Sequence, residues 1–543
     1  MRIAYTSDQI RAAEAALMAT LPEGTLMQRA AAGLATACAG TLAGTAGGVY
    51  GSRVALLVGS GDNGGDALYA GARLAARGAR VHAVLAGSRV HGAGLAALRR
   101  AGGRVVDARG GASGDGQPGT GAPSAGTTAA PAPGTAGVGA ARAVIAAADL
   151  VVDGLVGIGG AGALREPYAT LAGITREAPG AVVAVDVPSG VDASSGRVDG
   201  EAVRADLTVT FGALKTGLLV DPGAGHAGRV ELVDIGLGPY LPDPDVAGLT
   251  GQDVASLLPR PDARSDKYRR GVVGIAAGSR RYTGAAVLAV AGAIRAGAGM
   301  VRYAGAAEPA AQVRARWPEA VITELAPAEE TAGTNPAGQA GGAGSAGRGP
   351  AGTGPGKGIE EAGRVQAWVL GPGLGTDAWA HDVARSVLAS DVPVLVDADG
   401  LTLLAADRSL LRRRTGAPVL LTPHAGELSR LLGVDRARIE ARRLEHVRRA
   451  AAELGATVLL KGSTTLVAEE GRPVRANPAG SPWLATGGTG DVLAGLAGTM
   501  LAAGLDCYDA ASCAAYLHGL AGRTGPLAAG DVAEALPAII RRL

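Results

Sequence analysis

Residues 53–66 are RVALLVGSGDNGGD, an apolar run that leads directly into a glycine-rich turn. A helical pattern follows over 66–77, so the stretch predicts a strand, a tight turn and a helix. The run shows no alternation of polar and apolar residues, which is typical of a strand covered by helices on both faces. This stretch therefore predicts one βα unit of an α/β domain with a parallel sheet.

The same pattern recurs through the chain and predicts two such domains. Three prolines within 239–251 indicate a linker near residue 245. We predict two three-layer α/β domains with mainly parallel sheets, at 1–240 and 250–543. The further apolar runs lie at 79–87, 149–157, 181–190, 206–215, 228–236, 271–279, 298–305, 365–373, 392–400, 417–426 and 456–463.

The composition argues against several classes of protein. Of the 543 residues, 47% are hydrophobic and 3% aromatic, and the net charge is +2. Few aromatic residues and no basic stripe argue against nucleic acid as a partner. No apolar stretch reaches the roughly 18 residues of a membrane span, and the N-terminus lacks a signal-peptide pattern. Cys38, Cys507 and Cys513 are not spaced like zinc ligands, so we expect buried free thiols in a cytoplasmic protein.

Two stretches of low complexity interrupt the pattern. Residues 109–139 and about 327–362 consist mainly of Gly, Ala, Pro, Ser and Thr, without periodic apolar residues. Such segments bury too little apolar surface to fold, so we predict one disordered insertion within each domain. Strand-like runs resume after both, at 149–157 and 365–373, which places the insertions in surface loops.

Polar residues follow the predicted strands of the first domain. Asn63 lies in the glycine-rich turn, while Asp153 and Asp186 close two later apolar runs. Parallel strands present such residues to the crevice where these sheets bind ligands. The oxygen-rich set suits a cation or sugar hydroxyls, although the turn could be purely structural and one Asp could cap a helix. The turn is not the G-x-G-x-x-G fingerprint, so hydride transfer is not implied.

The strongest local signal is ATGGTGDVLAG at 485–495, in the second domain. A glycine-rich turn that opens a helix forms a nest of N–H donors for anionic oxygens. Asp491 at its mouth can take a proton from an attacking hydroxyl during phosphoryl transfer, although an Asp there could also cap the helix. The other motifs expected at this sheet edge are Gly371–Gly375, Asp397–Gly400, Thr422–Glu427 with His424, and Lys461–Thr465.

The motifs of the first half resemble those of the NAD(P)H-hydrate epimerase domain, over about 5–235. They are LMQRA (26–30), GSGDNGGD (59–66), VVDGLVGIGG (151–160), VDVPSGVD (185–192) and TFGALKTGL (210–218). The resemblance implies a Rossmann-like fold, with potassium held by Asn63, Asp153 and Ser189. It also implies that the hydrated nucleotide contacts Asp62, Asn63, Gly64, Gly65, Asp66, Gly157, Ile158, Gly159, Gly160, Ala161, Gly162, Ala163 and Asp186.

The activity implied for this domain is inversion at C6 of the nicotinamide, through reversible ring opening or loss of the hydroxyl. Such chemistry needs an acid/base group near neutrality, and we expect Asp186 to be catalytic. Lys215 could serve the site or could be a surface lysine, and the identity of the acid/base group stays open. Two positions depart from the family pattern: Asp62 replaces the usual Asn, and Ala67 replaces the usual Gly. The charge of Asp62 opposes the binding of nucleotide phosphates.

The second half resembles the ADP/ATP-dependent NAD(P)H-hydrate dehydratase, which has a ribokinase-like fold, over about 250–543. The motifs are KYRRG (267–271), GSRRYTGAAVLA (278–289), IRAGAGMV (294–301), GPGLG (371–375), TPHAGE (422–427), KGSTT (461–465) and ATGGTGDVLAG (485–495). The resemblance implies that Ala285, Gly373, His424 and Asp491 face the hydrated nucleotide, with Asp491 as the catalytic base. It implies a magnesium-bridged ADP bound by Lys461, Gly462, Ser463, Thr464, Thr465 and Gly490.

Together the motifs indicate a bifunctional enzyme that repairs hydrated NADH and NADPH. The first domain is expected to interconvert R and S hydrates, and the second to dehydrate the S hydrate with ADP, giving NAD(P)H, AMP and phosphate. We expect small-molecule substrates, no nucleic-acid or membrane partner, and a homo-oligomer. Two alternatives stay open: a ribokinase-like small-molecule kinase, and a first domain that only binds a nucleotide or a partner. The preference for ADP over ATP, and for NADH or NADPH hydrate, also stays open.

Overall fold

The computed structural model describes residues 1–109, 135–325, 355–412, 414 and 416–543. They form two compact units: Arg2–Ala247 is the first, and Gly248–Leu543 together with Met1 is the second. None of the helices in these ranges has the length and apolar composition required to cross a bilayer. Cys38, Cys507 and Cys513 are buried free thiols, as predicted.

The first unit alternates strands and helices after a short opening strand and two helices. Its helices are α1 (Ser7–Met18), α2 (Thr25–Thr45), α3 (Asp62–Ala76), α4 (Gly92–Arg100), α5 (Thr135–Ala146) and α6 (Tyr168–Ile174). Its strands are β1 (Arg2–Tyr5), β2 (Arg53–Val58), β3 (Arg80–Leu85), β4 (Arg104–Asp107), β5 (Leu150–Gly154), β6 (Ala181–Val185), β7 (Leu207–Phe211), β8 (Leu214–Lys215) and β9 (Arg229–Val233), with β10 (Val246–Gly248) at the boundary.

Seven strands of the first unit form a parallel sheet in the order β4-β3-β2-β5-β6-β7-β9. Alternate residues of β2 belong to different apolar clusters: Leu56 packs with residues of α1 to α4, and Leu57 with residues of α5 and α6. Both faces of the strand are therefore covered, which explains its unbroken apolar sequence. Each buried leucine contributes about 1.5–3 kcal/mol relative to exposure. The short strands β1 and β8 pair with each other.

The second unit contains a longer alternation of strands and helices. Its helices are α7 (Gly251–Leu257), α8 (Thr283–Arg295), α9 (Ala307–Arg316), α10 (Pro355–Glu361), α11 (Ala378–Leu388), α12 (Asp399–Ala406), α13 (Ser409–Arg412), α14 (Ala425–Leu432), α15 (Arg436–Ala441), α16 (Arg443–Leu454), α17 (Thr489–Ala502), α18 (Cys507–Ala521) and α19 (Ala529–Arg542). Its strands are β11 (Val272–Ala276), β12 (Met300–Gly305), β13 (Val321–Glu324), β14 (Ala367–Leu370), β15 (Val394–Val396), β16 (Val419–Leu421), β17 (Thr457–Leu460), β18 (Thr465–Ala468) and β19 (Val474–Asn477).

The strands of the second unit lie in the order β13-β12-β11-β14-β15-β16-β17-β18-β19. The strands from β13 to β17 are parallel, while β18 and β19 are antiparallel to their neighbours. The predicted class, α/β with mainly parallel sheets, is therefore confirmed.

Helix α17 lies in the core of the second unit, with 12 of its 14 residues buried. It crosses α8 at two glycines. A Cβ on Gly495 would lie 1.9 Å from the carbonyl oxygen of Ala289, and a Cβ on Gly292 would lie 2.2 Å from that of Val492. Because only glycine permits this approach of two backbones, the crossing fixes the position of the first turn of α17.

Three predicted boundaries differ from the structure. Helix α3 begins at Asp62 rather than near 66, because Gly61 is extended and serves as its N-cap. The predicted insertions were too long at their C-terminal ends, since 135–139 belong to α5 and 355–361 form α10. Alanine favours the α5 helix, and buried Ile359 anchors α10. The rest of the two predicted insertions, 110–134 and 326–354, lies outside the described residues.

Candidate active sites

Three adjacent strands of the first unit bring the predicted polar residues to one sheet edge. Strand β2 pairs with β5, and β5 pairs with β6, all in parallel. Asn63 lies in the first turn of α3 after β2, Asp153 lies within β5, and Asp186 follows β6. Asn63 Nδ2 donates to the carbonyl oxygen of Val185 at 2.8 Å, which ties α3 to the end of β6. The three residues thus lie at the carboxyl ends of parallel strands, where α/β sheets usually bind ligands.

Asp153 and Ser189 form a buried pair at this edge. Ser189 donates to the two carboxylate oxygens, through Oγ at 2.7 Å and through its backbone N–H at 2.8 Å. Burial raises the pKa of Asp153 to about 6, although the hydrogen bonds from Ser189 and Leu155 lower it. No Lys or Arg within the described ranges forms an ion pair with Asp153, so its charge lacks a protein counter-ion.

The oxygen atoms around Asp153 fit a hard cation. Asn63, Asp153 and Ser189 offer an amide oxygen, a carboxylate and a hydroxyl, which are the ligand types such ions prefer. A Cβ on Gly157 would lie 2.4 Å from Asn63 Oδ1, so this oxygen faces the loop after β5. The described residues contain no group of three His, Cys, Asp or Glu side chains that could hold a metal. One carboxylate among neutral oxygens suits a monovalent ion better than a divalent one.

Asp186 and Lys215 form a second buried pair. Lys215 is 1% exposed, and its Nζ donates to Asp186 Oδ1 at 2.5 Å and to the carbonyl oxygen of Phe211 at 2.8 Å. The backbone N–H of Phe211 also donates to this carboxylate, at 3.2 Å. Asp186 has a φ of +65°, a rare conformation for a residue with a side chain. The alternative of a surface lysine at Lys215 is therefore wrong, and the strained backbone holds Asp186 against a fixed cation.

Asp66 is a buried carboxyl without a hydrogen-bond partner. It is 7% exposed, and its Oδ1 accepts no hydrogen bond from any described residue. Burial raises the pKa of Asp66 well above its usual value, the charges of Asp186, Asp62 and Glu14 raise it further, and Lys215 lowers it. Burial and like charges both favour the protonated form of this carboxyl.

Glu14 of α1 belongs to the same group of charges. Burial raises its pKa, the charge of Lys215 lowers it, and the charges of Asp186 and Asp62 raise it. Three elements therefore contribute acidic side chains that face the single buried lysine of this site. Sequence reasoning did not identify Glu14, because an acidic residue between the buried positions of an amphipathic helix carries no distinctive signal.

The predicted nucleotide-binding segment after β5 lines a cavity of about 200 Å³. Gly160 to Ala163 form one wall, and Tyr168 and Gly190 to Asp192 contribute to the others. Of the remaining predicted contacts, Gly157 lies beside Asn63, Ile158 is partly buried and Gly159 is exposed. The segment thus connects the oxygen cluster around Asp153 with an open cavity.

Four adjacent strands of the second unit lead into the other predicted motifs. Strands β14, β15, β16 and β17 are parallel neighbours in that order. Their carboxyl ends continue into 371–375, 397–400, 422–427 and 461–465. The sheet therefore places four motifs that are distant in sequence side by side.

Lys461 is the central charge of this second group. Its Nζ donates to Asp397 Oδ1 at 2.7 Å and lies 3.9 Å from Glu427 Oε2. Burial lowers the pKa of Lys461, but the charges of Asp397 and Glu427 outweigh this effect and leave it above its usual value. Lys461 is thus a permanent cation that can bind a phosphate oxygen.

Asp491 lies beside this pair in the first turn of α17. A Cβ on Gly490 would lie 3.5 Å from Lys461 Nζ and 4.0 Å from Asp397 Oδ2. Burial raises the pKa of Asp491 to about 7, with a further increase from the charge of Asp397 and a decrease from Lys461. No helix-capping bond to its side chain occurs among the described residues, so the cap alternative lacks support. A carboxyl with this pKa is suited to proton transfer near neutrality.

His424 is the N-cap of α14 and also faces solvent. Its Nδ1 accepts from the N–H groups of Gly426 at 2.9 Å and Glu427 at 3.3 Å, while Glu427 Oε2 accepts from its backbone N–H at 2.8 Å. Burial lowers its pKa, in keeping with an Nδ1 that must stay unprotonated to accept. Its side chain is 54% exposed, so Nε2 can still meet a ligand. The structural role and the predicted contact are compatible.

Ala285 and Gly373, two predicted hydrate contacts, lie against each other. A Cβ on Gly373 would come within 2.7 Å of Ala285 Cβ and 2.8 Å of Tyr282 Cβ. Gly373 also has a φ of +59°, which a larger residue rarely adopts. The contact between α8 and the loop after β14 therefore requires glycine at this position.

Arg443 organises the loop Lys461–Thr465. The side chain is 3% exposed, and its Nη2 donates to the carbonyl oxygens of Leu460, Lys461 and Thr464 at 3.4, 3.0 and 3.3 Å. A Cβ on Gly462 would lie 2.2 Å from this Nη2, so glycine is required where the loop passes over the guanidinium. Within the loop, Thr464 is buried, whereas Gly462 and Ser463 are exposed.

Comparisons with known proteins match both units. A family model described as NAD(P)H-hydrate dehydratase matches residues 273–540, and one described as YjeF-related protein N-terminus matches 23–217. The bifunctional NAD(P)H-hydrate repair enzyme Nnr of Mycobacterium leprae is 46% identical over 534 residues, which cover 98% of this chain and 95% of that protein. The chain belongs to the family of bifunctional NAD(P)H-hydrate repair enzymes.

Other members of the repair-enzyme family show similar matches. The Nnr protein of Mycobacterium tuberculosis H37Rv is 46% identical over 514 residues, covering 94% of this chain and 92% of that protein. A solved structure of the ADP/ATP-dependent NAD(P)H-hydrate dehydratase of Bacillus subtilis has 29% identity and a TM-score of 0.43, and covers 55% of this chain and 99% of that one. Membership confirms the predicted enzyme class and the predicted repair of NAD(P)H hydrates, and it disfavours the small-molecule kinase alternative.

The repair-enzyme chain brings most of the predicted site residues together within each unit. In the first, Asn63, Asp153, Ser189 and Asp186 meet at one sheet edge; in the second, Gly490 and Lys461 lie beside one another. The sequence indicates Asp397 and Glu427 only as parts of motifs, and it gives no indication of a role for Arg443. A lone Arg at the start of a helix gives no signal of the loop that it supports.

Proposed function

We propose that the epimerase domain, 1–240, interconverts R and S hydrates and that the dehydratase domain, 250–543, consumes the S hydrate with ADP. The dehydratase assignment depends on Asp491, which lies at the start of α17 and has a pKa of about 7. The Lys461–Asp397 pair lies beside it. This arrangement combines a proton acceptor, a fixed cation and a helix N-terminus, which are the parts that phosphoryl transfer needs.

In the proposed dehydration, the C6 hydroxyl of the S hydrate attacks the terminal phosphorus of ADP. Its proton passes to Asp491, and AMP leaves with the electron pair of the broken P–O bond. Phosphate then leaves with the C6–O electron pair while water takes a proton from C5, which restores the C5–C6 double bond of NAD(P)H. Lys461 and the N–H groups at Gly490 stabilise the phosphate charge, while Ala285, Gly373 and His424 face the hydrate.

Magnesium is proposed to accompany ADP. It would be bound mainly by nucleotide phosphates, where it neutralises charge during transfer. Asp397 pairs with Lys461, and the charge of Asp399 acts on Asp491, so both carboxylates belong to the same group of charges. They supply oxygen ligands, which this ion prefers, so the chemistry of the site fits. The roles of the protein side chains in proton transfer and loop geometry do not depend on it.

The test of this assignment is the recovery of NADH absorbance from purified S hydrate with ADP and magnesium, with ATP and magnesium, and with neither. Recovery that needs ADP and releases equal amounts of AMP and phosphate supports the proposal. Recovery with ATP but not with ADP would show that ATP is the cosubstrate. No recovery with either nucleotide would contradict the dehydratase assignment.

We expect Arg443→Lys to raise the KM for ADP about tenfold and to leave kcat within about twofold. A lysine cannot donate to three loop carbonyls at once, and a tenfold change corresponds to about 1.4 kcal/mol, close to one or two lost hydrogen bonds. Steady-state kinetics with varied ADP and varied hydrate test this. Arg442→Lys is the matched control, because Arg442 is adjacent but pairs at the surface with Glu445. An equal rise in both KM values would argue against a role specific to the nucleotide loop.

In the proposed epimerisation, Asp186 and Asp66 act on the C6 hydroxyl. Protonated Asp66 donates as the hydroxyl leaves as water, the N1 lone pair stabilises the resulting cation, and water returns from the opposite face as its proton passes to Asp186. Lys215 fixes the orientation of the Asp186 side chain through a hydrogen bond. Asp62, Asn63, Gly64 and Gly65 at the start of α3 and the segment 157–163 bind the rest of the hydrate.

Asp66→Asn is expected to lower epimerase activity about 100-fold and to change its pH profile. An acid works in its protonated form, so wild-type activity falls as the pH rises through the elevated pKa of Asp66. The Asn variant should lack that alkaline decline. Asp8→Asn, an exposed residue of α1, is the control. If the activity of Asp66→Asn still declines at high pH as the wild-type activity does, a group other than Asp66 donates the proton.

Potassium is proposed to bind Asn63, Asp153 and Ser189. We expect KCl to stabilise the first unit by about 1–3 kcal/mol over tetramethylammonium chloride, through ligand linkage. The cation needs the ionised carboxylate, so the stabilisation is full well above pH 6 and is lost as the pH falls through the pKa of Asp153, about 6. Thermal unfolding in the two salts tests this, with Asp153→Asn as the variant that loses the difference. Equal melting temperatures in both salts at pH 8 would contradict a potassium site.

The cytoplasmic location and the homo-oligomeric state remain predictions, as does the choice between NADH and NADPH hydrates. The alternative of a non-catalytic first unit predicts a different result. In that case R hydrate would be consumed only as fast as it epimerises spontaneously. Turnover of fresh R hydrate by the whole chain therefore tests the epimerase assignment independently of the dehydratase.

A further inference from the structure

The second unit contains a cavity of about 390 Å³ at the edge of the sheet opposite the motifs described above. Arg269 and Arg270 lie on its wall directly before β11, and Arg295 to Gly297 lie before β12. These positions are at the amino ends of parallel strands, whereas Lys461 follows the carboxyl end of β17. The cavity is therefore distinct from the proposed ADP and hydrate sites.

Five arginines line this cavity, and no Asp or Glu among the described residues lines it. None of the five forms an ion pair with any residue in the described ranges. The nearby Asp266 is occupied by the backbone N–H groups of Tyr268 and Arg269, at 2.8 and 3.0 Å. The charge of Asp266 acts on Arg269, and it offsets only part of the positive charge that the five arginines concentrate in the cavity. The arginines are Arg260, Arg269, Arg270, Arg295 and Arg541.

Helix dipoles do not account for this charge. The C-terminal ends of α8, α17 and α19 line the cavity, and each helix end carries roughly half a negative charge, about −1.5 in total. Arg270 Nη2 donates to the carbonyl oxygen of Gly297 at 2.9 Å, which neutralises one of these ends. With Asp266 also counted, an excess of about two positive charges remains in a concave site, where the field is focused.

The base of the cavity combines an unsatisfied donor with an apolar floor. Arg295 Nε is buried and has no hydrogen-bond partner in the described part of the chain. Leu258 and Met500 beside it are 8% and 4% exposed. A buried N–H without an acceptor is unfavourable by about 1–3 kcal/mol, so an oxygen acceptor at this position would stabilise the protein.

We propose that this cavity binds a phosphate-bearing ligand of mononucleotide size. The arginines provide bidentate donors for phosphate oxygens, and the apolar floor accepts a planar base that can also stack on a guanidinium. The volume lies within the usual range of small-molecule sites, about 300–1,000 Å³. The proposal gives a role to the motif Lys267–Gly271, which the repair chemistry does not use.

The site lies at the far end of the helix that carries Asp491. Thr499, Met500 and Ala503 line the cavity, and Asp491 lies about 14 Å away along α17 at 1.5 Å per residue. A ligand here and a nucleotide at Lys461 can therefore be bound at the same time.

The test is the binding of AMP to the full chain by isothermal titration calorimetry, with inorganic pyrophosphate as a competing probe. The double variant Arg295→Gln/Arg541→Gln should lose one AMP site per chain that pyrophosphate displaces in the wild type. It should keep its S-hydrate dehydration rate. The double variant Arg436→Gln/Arg449→Gln, which removes two exposed arginines of α15 and α16, is the matched control and should bind as the wild type does.

The single variant Arg541→Gln, at the exposed rim, tests the site with the least risk to folding and should weaken the displaceable AMP binding at least about fivefold. If both variants retain every AMP site at wild-type affinity, the proposal is wrong. Pyrophosphate binding that is weak and equal in all variants would indicate an adventitious ion only. A failure of the ADP assignment at Lys461 would leave these results unchanged, because the AMP site tested here does not involve that loop.

Discussion

Asp491→Asn lowers the rate of S-hydrate dehydration by about 100- to 10,000-fold, the usual contribution of a general base. The asparagine has nearly the same size and can still accept a hydrogen bond, but it cannot take a proton. Lys461 and Gly490 remain in place, so ADP should bind with little change in affinity. The rate of NADH recovery measures the loss of catalysis, and titration calorimetry with ADP measures the change in ADP affinity.

The pH dependence of this reaction provides a second measurement. Asp491 acts in its ionised form, and its pKa is raised to about 7, chiefly by burial. The wild-type kcat/KM for the S hydrate should therefore rise as the pH increases through about 7 and level off above it. The residual activity of Asp491→Asn should lack this rise. A pH profile that is the same in both proteins would show that a group other than Asp491 accepts the proton.

Asp531→Asn is the matched control for Asp491→Asn. Asp531 occupies the third position of α19 after Ala529 and Gly530, as Asp491 occupies the third position of α17 after Thr489 and Gly490. Its carboxylate caps the helix by accepting from the N–H of Ala528 at 2.7 Å. The control should lose about 0.5–2 kcal/mol of stability and keep its activity. Equal loss of activity in both variants would indicate a structural effect.

The contrast between these two aspartates shows what sequence can predict. The Gly-Gly-Thr-Gly-Asp motif makes Asp491 a candidate because both its residue types and its position at the start of a helix have a chemical meaning. The pair between Lys461 and Asp397 could not be predicted from spacing, because it depends on β15, β16 and β17 being neighbours. Strand order is a property of the whole sheet and is not encoded in any one segment.

Burial of charged residues was the least predictable feature. Lys215 lies in a strand of two residues, too short to give a periodic pattern, so a surface position and a site position were equally compatible with the sequence. The sequence predicts that Asp66 contacts the hydrate, but it does not predict that its buried Oδ1 has no hydrogen-bond partner among the described residues. By contrast, the apolar runs predicted the sheets correctly, because a strand that is buried on both faces has apolar residues at nearly every position.

Asp186→Asn should abolish turnover of fresh R hydrate, with a fall of at least about 100-fold, and leave turnover of the S hydrate unchanged. The variant removes the proposed proton acceptor and leaves buried Lys215 without the carboxylate to which it donates a hydrogen bond. Breaking a buried ion pair in this way destabilises by about 3–5 kcal/mol, so the single variant also weakens the first unit. The double variant Asp186→Asn/Lys215→Met removes both charges and restores much of that stability.

The comparison of these variants separates chemistry from folding. If Asp186 is the acceptor, the double variant regains a melting temperature near that of the wild type but stays inactive on R hydrate. The rate on S hydrate in the same sample is the internal control, because the proposed dehydratase residues all lie in the second unit. R-hydrate turnover that recovers together with stability would show that Asp186 is structural, and Asp66 or Glu14 would then have to carry the proton.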